Sequence, residues 1–244
     1  MLEAMKKAGF VTWILAFATP VAAGEFEGKT TGEFEPGIYS KELPYRIQSP
    51  RGIEAGREYP LLLFLHGRGE SGNDNVAQLK SVPPRLAPAV FAAQPCFVIA
   101  PQCPKEGWWM GRPLALALDL VREAVRELPV DKQRVYISGL SMGGFGTWAA
   151  LAQEPKLFAA AIPICGGGEP ASVRKFDRVP IWAFHGEADD VVPVAKSREM
   201  VEALRKEKGA DIRYTEYPGV KHDSWTQTYE NPELYAWLFA QKRK

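Results

Sequence analysis

The chain has 244 residues, of which 46% are hydrophobic and 24% are charged, and its 30 basic and 29 acidic residues leave a formal net charge of +1. These are ordinary proportions for a globular protein, and no internal repeat or low-complexity segment interrupts them. The even charge balance argues against a nucleic-acid partner and against attraction to an anionic membrane surface.

The first 23 residues have the pattern of a secretory signal peptide. Lys6 and Lys7 precede an apolar run over 10–21, which is about a dozen residues long and too short to span a bilayer comfortably. Small residues follow at Val21-Ala22-Ala23. We therefore expect cleavage of residues 1–23 and a secreted or periplasmic mature chain with no stable membrane association. The alternatives are an uncleaved anchor and a hydrophobic N-terminal helix, whereas a lipoprotein would need a cysteine at the cleavage site.

Residues 24–244 are predicted to form a single α/β domain, because apolar runs of strand length alternate with segments of helix length. A strand pair near 38–48 should form one edge of the sheet. The other strands are predicted at 61–65, 97–101, 134–139, 159–164, 180–185 and 212–217, and the helices at 114–128, 143–153, 194–208 and 232–242. This alternation indicates a mostly parallel sheet with helices on both faces. No long insertion separates the elements, so no large lid is expected.

The stretch Gly139-Leu-Ser-Met-Gly143 lies between a predicted strand and a predicted helix. A Gly-x-Ser-x-Gly sequence in this context is typical of a nucleophile elbow, in which the turn is too tight for side chains at the flanking positions. The turn would expose the hydroxyl of Ser141 above the sheet. Ser141 is therefore the predicted nucleophile, and the alternative is a chance match to a short motif.

A serine hydroxyl needs a general base, and the chain offers His66, His185 and His222. Enzymes with a nucleophile elbow have the chain order serine, acid, histidine, which excludes His66. His185 closes a predicted strand, where a packed side chain is expected. His222 lies in a polar loop before the last predicted helix and is the predicted base, the alternative being a histidine of an ordinary surface loop.

The acid that orients the base must lie between Ser141 and His222. Asp189 and Asp190 follow a predicted buried strand and precede a helix. Two adjacent aspartates are more than a helix cap needs. Glu187 is a third candidate, and the residues themselves do not decide between the two aspartates.

An oxyanion hole is the remaining requirement of this chemistry. Elbow hydrolases build it from the backbone N–H that follows the nucleophile and from an N–H of an earlier loop. Met142 supplies the first donor. The glycine-rich segment His66-Gly-Arg-Gly-Glu-Ser-Gly72 follows the buried strand at 61–65, and Arg68 is the predicted second donor.

Together these motifs resemble the α/β-hydrolase superfamily, in particular the small secreted carboxylesterases and the poly-hydroxyalkanoate-depolymerase-like and "predicted peptidase" relatives of dienelactone hydrolase. The resemblance covers roughly Tyr39 to the C-terminus. It implies an α/β-hydrolase fold and a serine hydrolase. The family's His-Gly-x-x-Asp-x-x-Val-Pro pattern matches 185–193 and implies that Asp189 is the acid. The other matching segments are Leu63-Phe-Leu-His-Gly-Arg-Gly-Glu70, Gly139-Leu-Ser-Met-Gly-Gly144 and His222.

The cysteines Cys96, Cys103 and Cys165 are odd in number, so at least one is free. Across an extended run the first two would lie more than ~20 Å apart at ~3.3 Å per residue, beyond the roughly 7 Å that a disulfide bridges. Cys165 is expected at a buried strand end. No metal-ligand spacing of Cys or His occurs, so we expect neither a metal nor another cofactor.

Trp108 and Trp109 follow the predicted strand at 97–101. Loops at the carboxyl ends of parallel strands form the ligand site in open α/β sheets. Both tryptophans are therefore predicted to bind substrate, as a wall for an aromatic or apolar acyl or alcohol group. The alternative is ordinary loop packing, and the same two interpretations apply to Trp225 beside His222.

The leading hypothesis is a serine esterase that cleaves small-molecule or polymer-linked carboxylic esters through an acyl-enzyme. Candidate substrates are small aliphatic esters, hydroxyalkanoate oligomers, and feruloyl or acetyl esters of plant polysaccharide. One alternative is a peptidase of the prolyl-oligopeptidase type, which would usually carry a further domain. The other is a non-catalytic binding module, whose mark would be the loss of a triad residue. The sequence does not specify an oligomeric state.

Overall fold

The computed structural model describes residues 24–243, so the predicted leader over 1–23 lies outside the described residues. One sheet contains eight strands: β1 (Phe34–Tyr39), β2 (Leu43–Gln48), β3 (Tyr59–Leu65), β4 (Phe97–Pro101), β5 (Val130–Leu140), β6 (Ala160–Ile164), β7 (Ile181–Gly186) and β8 (Ile212–Tyr217). The α-helices within this range are α1 (Pro83–Leu86), α2 (Pro88–Ala93), α3 (Gly111–Glu127), α4 (Met142–Gln153), α5 (Ala195–Arg205), α6 (Trp225–Glu230) and α7 (Pro232–Ala240).

The strand order is β1-β2-β4-β3-β5-β6-β7-β8. Strands β1, β2 and β4 pair antiparallel, and the pairs from β4 through β8 are parallel. The predicted mostly parallel sheet with a strand pair at its edge is therefore confirmed. Strand β5 begins at Val130, earlier than predicted, and its pairing with β3 is irregular between Tyr59 and Leu61.

Two apolar layers cover the sheet, one on each face. In β3, Leu61, Leu63 and Leu65 face one layer while Leu62 and Phe64 face the other, as the two-residue period of a strand requires. Helices α3, α4 and α5 pack on the first face, and α1, α2, α6 and α7 pack on the second. Since every α-helix of residues 24–243 contributes to one of these layers, none of them forms a separate lid.

The short helices α1, α2 and α6 were not predicted. They have four to six residues, which is too few to show the 3.6-residue apolar period. None of the helices within residues 24–243 is long and apolar enough to cross a membrane.

Candidate active site

Ser141 occupies the turn between β5 and α4 in a backbone conformation that favours glycine. Its φ is 52° and its ψ is −117°, a region in which a non-glycine residue stores strain. The turn has no room beside it, because a Cβ atom on Gly139 would lie 2.3 Å from the carbonyl oxygen of Gly143. This conformation places the Ser141 side chain at the carboxyl end of β5.

Ser141, His222 and Asp189 form one chain of hydrogen bonds. His222 Nδ1 lies 2.8 Å from Asp189 Oδ2, and His222 Nε2 lies 2.9 Å from Ser141 Oγ. A carboxylate can only accept, so Nδ1 carries the hydrogen and Nε2 is left to accept from the serine hydroxyl. This tautomer is the one that a general base acting on Ser141 requires.

Backbone groups and His222 keep the Asp189 carboxyl ionised. Its Oδ1 accepts the N–H groups of Val191 and Val192, each at 2.9 Å. Burial opposes ionisation of this carboxyl, but the hydrogen bonds from His222, Val192 and Val191 outweigh burial, so the pKa of Asp189 lies below its ordinary value. Asp189 is therefore a fixed anion facing the imidazole.

The other two acidic candidates point elsewhere. Asp190 is exposed and accepts from Lys221 Nζ at 3.0 Å, and this lysine holds the pKa of Asp190 below its ordinary value. Glu187 accepts the N–H of Gly219 at 3.0 Å. Asp189 is thus the one of these three that contacts His222.

The predicted oxyanion donors lie on either side of Ser141. Met142 is the first residue of α4, so its N–H has no acceptor within the helix. Arg68 opens a short 3₁₀ helix after Gly67, and no acceptor for its N–H is found among residues 24–243. A Cβ atom on Gly67 would lie 3.6 Å from Ser141 Cβ, so this loop passes directly beside Ser141.

His66 holds this loop in place as a neutral ring. Its Nε2 accepts the N–H of Cys103 at 2.9 Å, and its Nδ1 donates to Gly67 O at 2.6 Å. Burial lowers the pKa of His66 to about 4, which keeps the ring neutral and its accepting nitrogen available.

Trp109 was predicted to line the substrate site, but it lies in the core instead. Its side chain is fully buried, its Nε1 donates to His66 O at 3.0 Å, and its ring packs against the imidazole of His66. This side chain packs against the segment His66–Gly72, which we call the oxyanion loop, and presents no face to a substrate.

Trp108 has the opposite orientation, with 40% of its surface exposed. Its ring makes an edge contact with Phe145 in the first turn of α4, with ring centroids 6.3 Å apart. The guanidinium of Arg68 lies 5.9 Å from the Trp108 ring centroid, and Arg68 Nη1 donates to Gly107 O. Trp108 and Phe145 thus form an aromatic surface that begins beside the oxyanion loop.

Two contacts of the site were not predicted. Cys165, at the end of β6, has a φ of 39° and accepts the N–H of Ser141 through its sulfur at 3.3 Å. His185 Nε2 lies 3.1 Å from Asp189 Oδ2. The sequence places both residues at strand ends, but their contacts with Ser141 and Asp189 depend on the tertiary structure. Trp225 was noted in the sequence, and its ring lies edge-on to His222 with centroids 5.3 Å apart.

Within residues 24–243, Cys165, Asp189 and His222 form the one group of three side chains close enough to share a metal ion. Burial raises the pKa of Cys165 to about 12, which disfavours the thiolate that a metal would need. The same effect makes Cys165 a poor nucleophile. All three cysteines are free, so the expectation that Cys96 and Cys103 are not bridged is confirmed.

Several known proteins resemble this chain. "Probable feruloyl esterase C" of Aspergillus flavus is 25% identical over 186 residues, which cover 75% of this chain and 68% of that protein. A thermostable esterase of known structure is 41% identical and superposes with a TM-score of 0.81. The match covers 86% of this chain and 63% of that esterase, so the chain spans less than two thirds of its length. An uncharacterized secreted protein of Arthroderma benhamiae is 24% identical over 220 residues, covering 72% of this chain and 23% of that protein.

A family model described as "Dienelactone hydrolase family" matches residues 109–234, which is 126 of the 244 residues and includes Ser141, Asp189 and His222. The relatives and this match confirm the predicted α/β-hydrolase fold and the predicted class of carboxylic ester hydrolase. The chain belongs to the dienelactone hydrolase family, within the α/β-hydrolase superfamily of serine esterases.

Proposed function

We propose that this protein hydrolyses carboxylic esters through an acyl-enzyme on Ser141, with His222 as general base and Asp189 as the group that orients it. The observation that supports this most directly is the unbroken chain of hydrogen bonds, 2.9 Å from serine to imidazole and 2.8 Å from imidazole to carboxylate. Nucleophile, base and orienting anion are thus within reach of one another before substrate binds.

In the proposed reaction, Ser141 Oγ attacks the ester carbonyl carbon while His222 Nε2 takes its proton. The carbonyl oxygen becomes an oxyanion that accepts from the N–H groups of Met142 and Arg68. The imidazolium, stabilised by the Asp189 anion, then protonates the leaving alkoxide as the carbon–oxygen bond breaks. Water, deprotonated by His222, attacks the acyl-enzyme in the same way and releases the acid.

The proposed substrates carry an aromatic acyl group, as in hydroxycinnamoyl esters, on a small alcohol or on a polymer. The aromatic surface of Trp108 and Phe145 beside the oxyanion loop supports this class, because aromatic rings favour edge and offset contacts with one another. The name of the feruloyl esterase relative points the same way.

We also propose that residues 24–244 form one α/β domain, which is exported after removal of residues 1–23. The leader pattern of the sequence and the secreted relative support an extracellular or periplasmic location. The N-terminal sequence of the protein recovered from an expressing cell's medium or periplasm tests this, and a chain that begins at Met1 in the cytoplasm would contradict it.

The reaction is tested with p-nitrophenyl esters of increasing chain length beside feruloyl esters and peptide anilides. We expect cleavage of esters, with the highest kcat/KM for aromatic acyl groups. Faster cleavage of anilides would favour the peptidase alternative, and no turnover of any substrate would favour a binding module. In parallel, a fluorophosphonate probe should add one adduct to the intact mass of the protein, and Ser141→Ala should prevent it.

A further inference from the structure

Asp189 Oδ2 faces two histidines. His222 Nδ1 lies 2.8 Å from this oxygen and His185 Nε2 lies 3.1 Å from it. The side chains of His185 and Asp189 are both fully buried. The reaction proposed above uses His222 and gives His185 no part.

The surroundings of His185 determine which ring nitrogen carries a hydrogen. Its Nε2 lies between Asp189 Oδ2 and the carbonyl oxygen of Val192, at 3.0 Å from the latter. Both oxygens only accept, so Nε2 has to donate. On the other side, His185 Nδ1 lies 2.7 Å from Ser197 Oγ, which is also 2.9 Å from Gly166 O. The Ser197 hydroxyl can donate to a neutral His185 or accept from a protonated one, and Nε2 is a donor in both arrangements.

We propose that His185 is a positioning residue for the catalytic aspartate, an inference that rests on the proposed function. His185 Nε2 donates its hydrogen bond to Val192 O and lies 3.1 Å from Asp189 Oδ2, while two backbone N–H groups bind Oδ1, so the Asp189 carboxylate is constrained at both oxygens. The N–H of His185 also lies close to Oδ2, so it weakens the attraction between this oxygen and the His222 ring. His185 thereby sets how strongly the aspartate favours the imidazolium form of the base.

The charged groups around His185 support this assignment. The Asp189 carboxylate and His222 lie on the side of the His185 ring that faces the candidate active site. Glu216 on β8 lies on another side and is held by Arg198 at 2.5 Å and 2.9 Å. Burial lowers the pKa of His185, against the effects of Val192 O and Asp189. The two histidine rings meet at one carboxylate oxygen, Asp189 Oδ2, which is 3.1 Å from His185 and 2.8 Å from His222.

The test compares two substitutions in the full chain. His185→Gln keeps an N–H donor near the place of Nε2, whereas His185→Leu removes it and keeps an apolar side chain. Thr228→Val is the matched control, because Thr228 is also buried and its hydroxyl is hydrogen-bonded to Ser224 O at 2.8 Å and to Tyr217 Oη at 3.1 Å, not to Ser141, Asp189 or His222. The readouts are kcat and KM on an acetyl ester, the pH profile of kcat/KM, and Tm.

For His185→Leu we expect kcat to fall about 10- to 100-fold, well short of the roughly 10⁴-fold lost with an orienting aspartate. KM should change by less than about threefold, because the substrate does not touch His185. The acidic limb of the profile should move to higher pH, since the undivided carboxylate charge then favours the imidazolium. His185→Gln should keep most of the wild-type kcat, and the acidic limb of its pH profile should lie at the wild-type pH.

A His185→Leu enzyme with the wild-type kcat per folded molecule and an unmoved acidic limb would overturn the proposal. The proposal would also be overturned if both His185 variants lost the same amount of kcat and if this loss matched their fall in Tm, as expected for Thr228→Val. A wild type that cleaves no ester would refute the proposed function instead. The chain has three histidines, so the His222 ring can then be titrated by NMR: a midpoint that is higher in His185→Leu supports positioning, and an identical midpoint overturns it.

Discussion

The carbonyl oxygen of Leu65 lies 1.9 Å from the point that a Cβ atom would occupy on Gly143. Leu65 ends β3, just before His66–Gly72, and Gly143 lies in the first turn of α4, two residues after Ser141. The backbone that leads into the loop of Arg68 is therefore in direct contact with the backbone that follows Met142. The distance between the amides of Arg68 and Met142 depends on this contact.

Gly143→Ala should destabilise the fold, because a methyl group cannot fit against the Leu65 carbonyl. Overpacking of this kind costs about 1–3 kcal/mol, which lowers Tm by roughly 2–4 °C per kcal/mol in a domain of this size. Gly69→Ala is the control, since a Cβ atom there meets nothing within 4 Å. Calorimetry of both variants is the measurement, and equal Tm values would contradict the packing argument.

Ser141→Ala should remove nearly all ester turnover and leave the fold intact. The hydroxyl contacts His222 alone among the side chains described, so its loss has little effect on stability, whereas the reaction loses its nucleophile. A fall on the order of 10⁴-fold or more in kcat is expected. Turnover within tenfold of wild type, in protein free of other esterases, would mean that Ser141 is not the nucleophile.

Asp189→Asn should cost far more activity than Asp190→Asn. An amide at position 189 can present its N–H₂ to His222 and favour the wrong tautomer, a change that costs on the order of 10⁴-fold in kcat. Asp190 contacts Lys221 at the surface, where an ion pair contributes little. Side-by-side kcat values with circular dichroism of both variants decide the assignment, which is reversed if Asp190→Asn is the more damaged.

Much of the fold follows from the sequence because parallel strands buried on both faces are continuous apolar runs. The segment Leu61–Leu65 is apolar throughout, and its two faces enter different layers. The predicted Ser141, Asp189 and His222 each follow the carboxyl end of a strand, and parallel strands bring those ends to one edge. Chain order and the Gly-x-Ser-x-Gly motif therefore predict Ser141 and His222, whereas the choice of Asp189 over Asp190 also needs the His-Gly-x-x-Asp pattern of the family.

The remaining features depend on tertiary placement. Trp108 and Trp109 are adjacent in an irregular loop, which has no periodicity to show which ring faces the core. The contact of His185 with Asp189 depends on how tightly the chain turns after β7. Likewise, the contact of Cys165 with Ser141 joins β6 to β5 across the sheet. The residue types at these positions do not specify the contacts, although His185 and Asp189 both belong to the His-Gly-x-x-Asp-x-x-Val-Pro pattern.

The free energy of unfolding should fall as the pH drops from about 6.5 to 4, in part because of His66. Its pKa is about 4 in the folded protein and about 6.5 in the unfolded chain. Protons therefore bind the unfolded chain first, so the stabilisation is complete above about pH 6.5 and declines by about 3 kcal/mol towards pH 4. His66→Gln, whose amide oxygen can still accept from Cys103, should flatten this dependence.

Denaturant titrations at pH 7, 5.5 and 4 provide the measurement for His66. The buried His185 titrates in the same direction and is present in both proteins, so the difference between the two curves isolates His66. Parallel curves would show that His66 is not the group that takes up the proton.

The two tryptophans should respond differently to truncation. Trp108→Ala should lower kcat/KM for aromatic esters by roughly 1–3 kcal/mol of transition-state binding, the scale of a lost apolar contact, and leave acetyl esters and Tm nearly unchanged because the ring is 40% exposed. Trp109→Ala should cost about 3–5 kcal/mol of stability and affect all esters alike, because its ring lies buried beneath His66.

The measurement is the ratio of kcat/KM for a feruloyl ester to that for an acetyl ester, beside Tm. If Trp108→Ala leaves this ratio unchanged, the aromatic surface of Trp108 and Phe145 does not hold the acyl group, and the preference for aromatic esters loses its structural support.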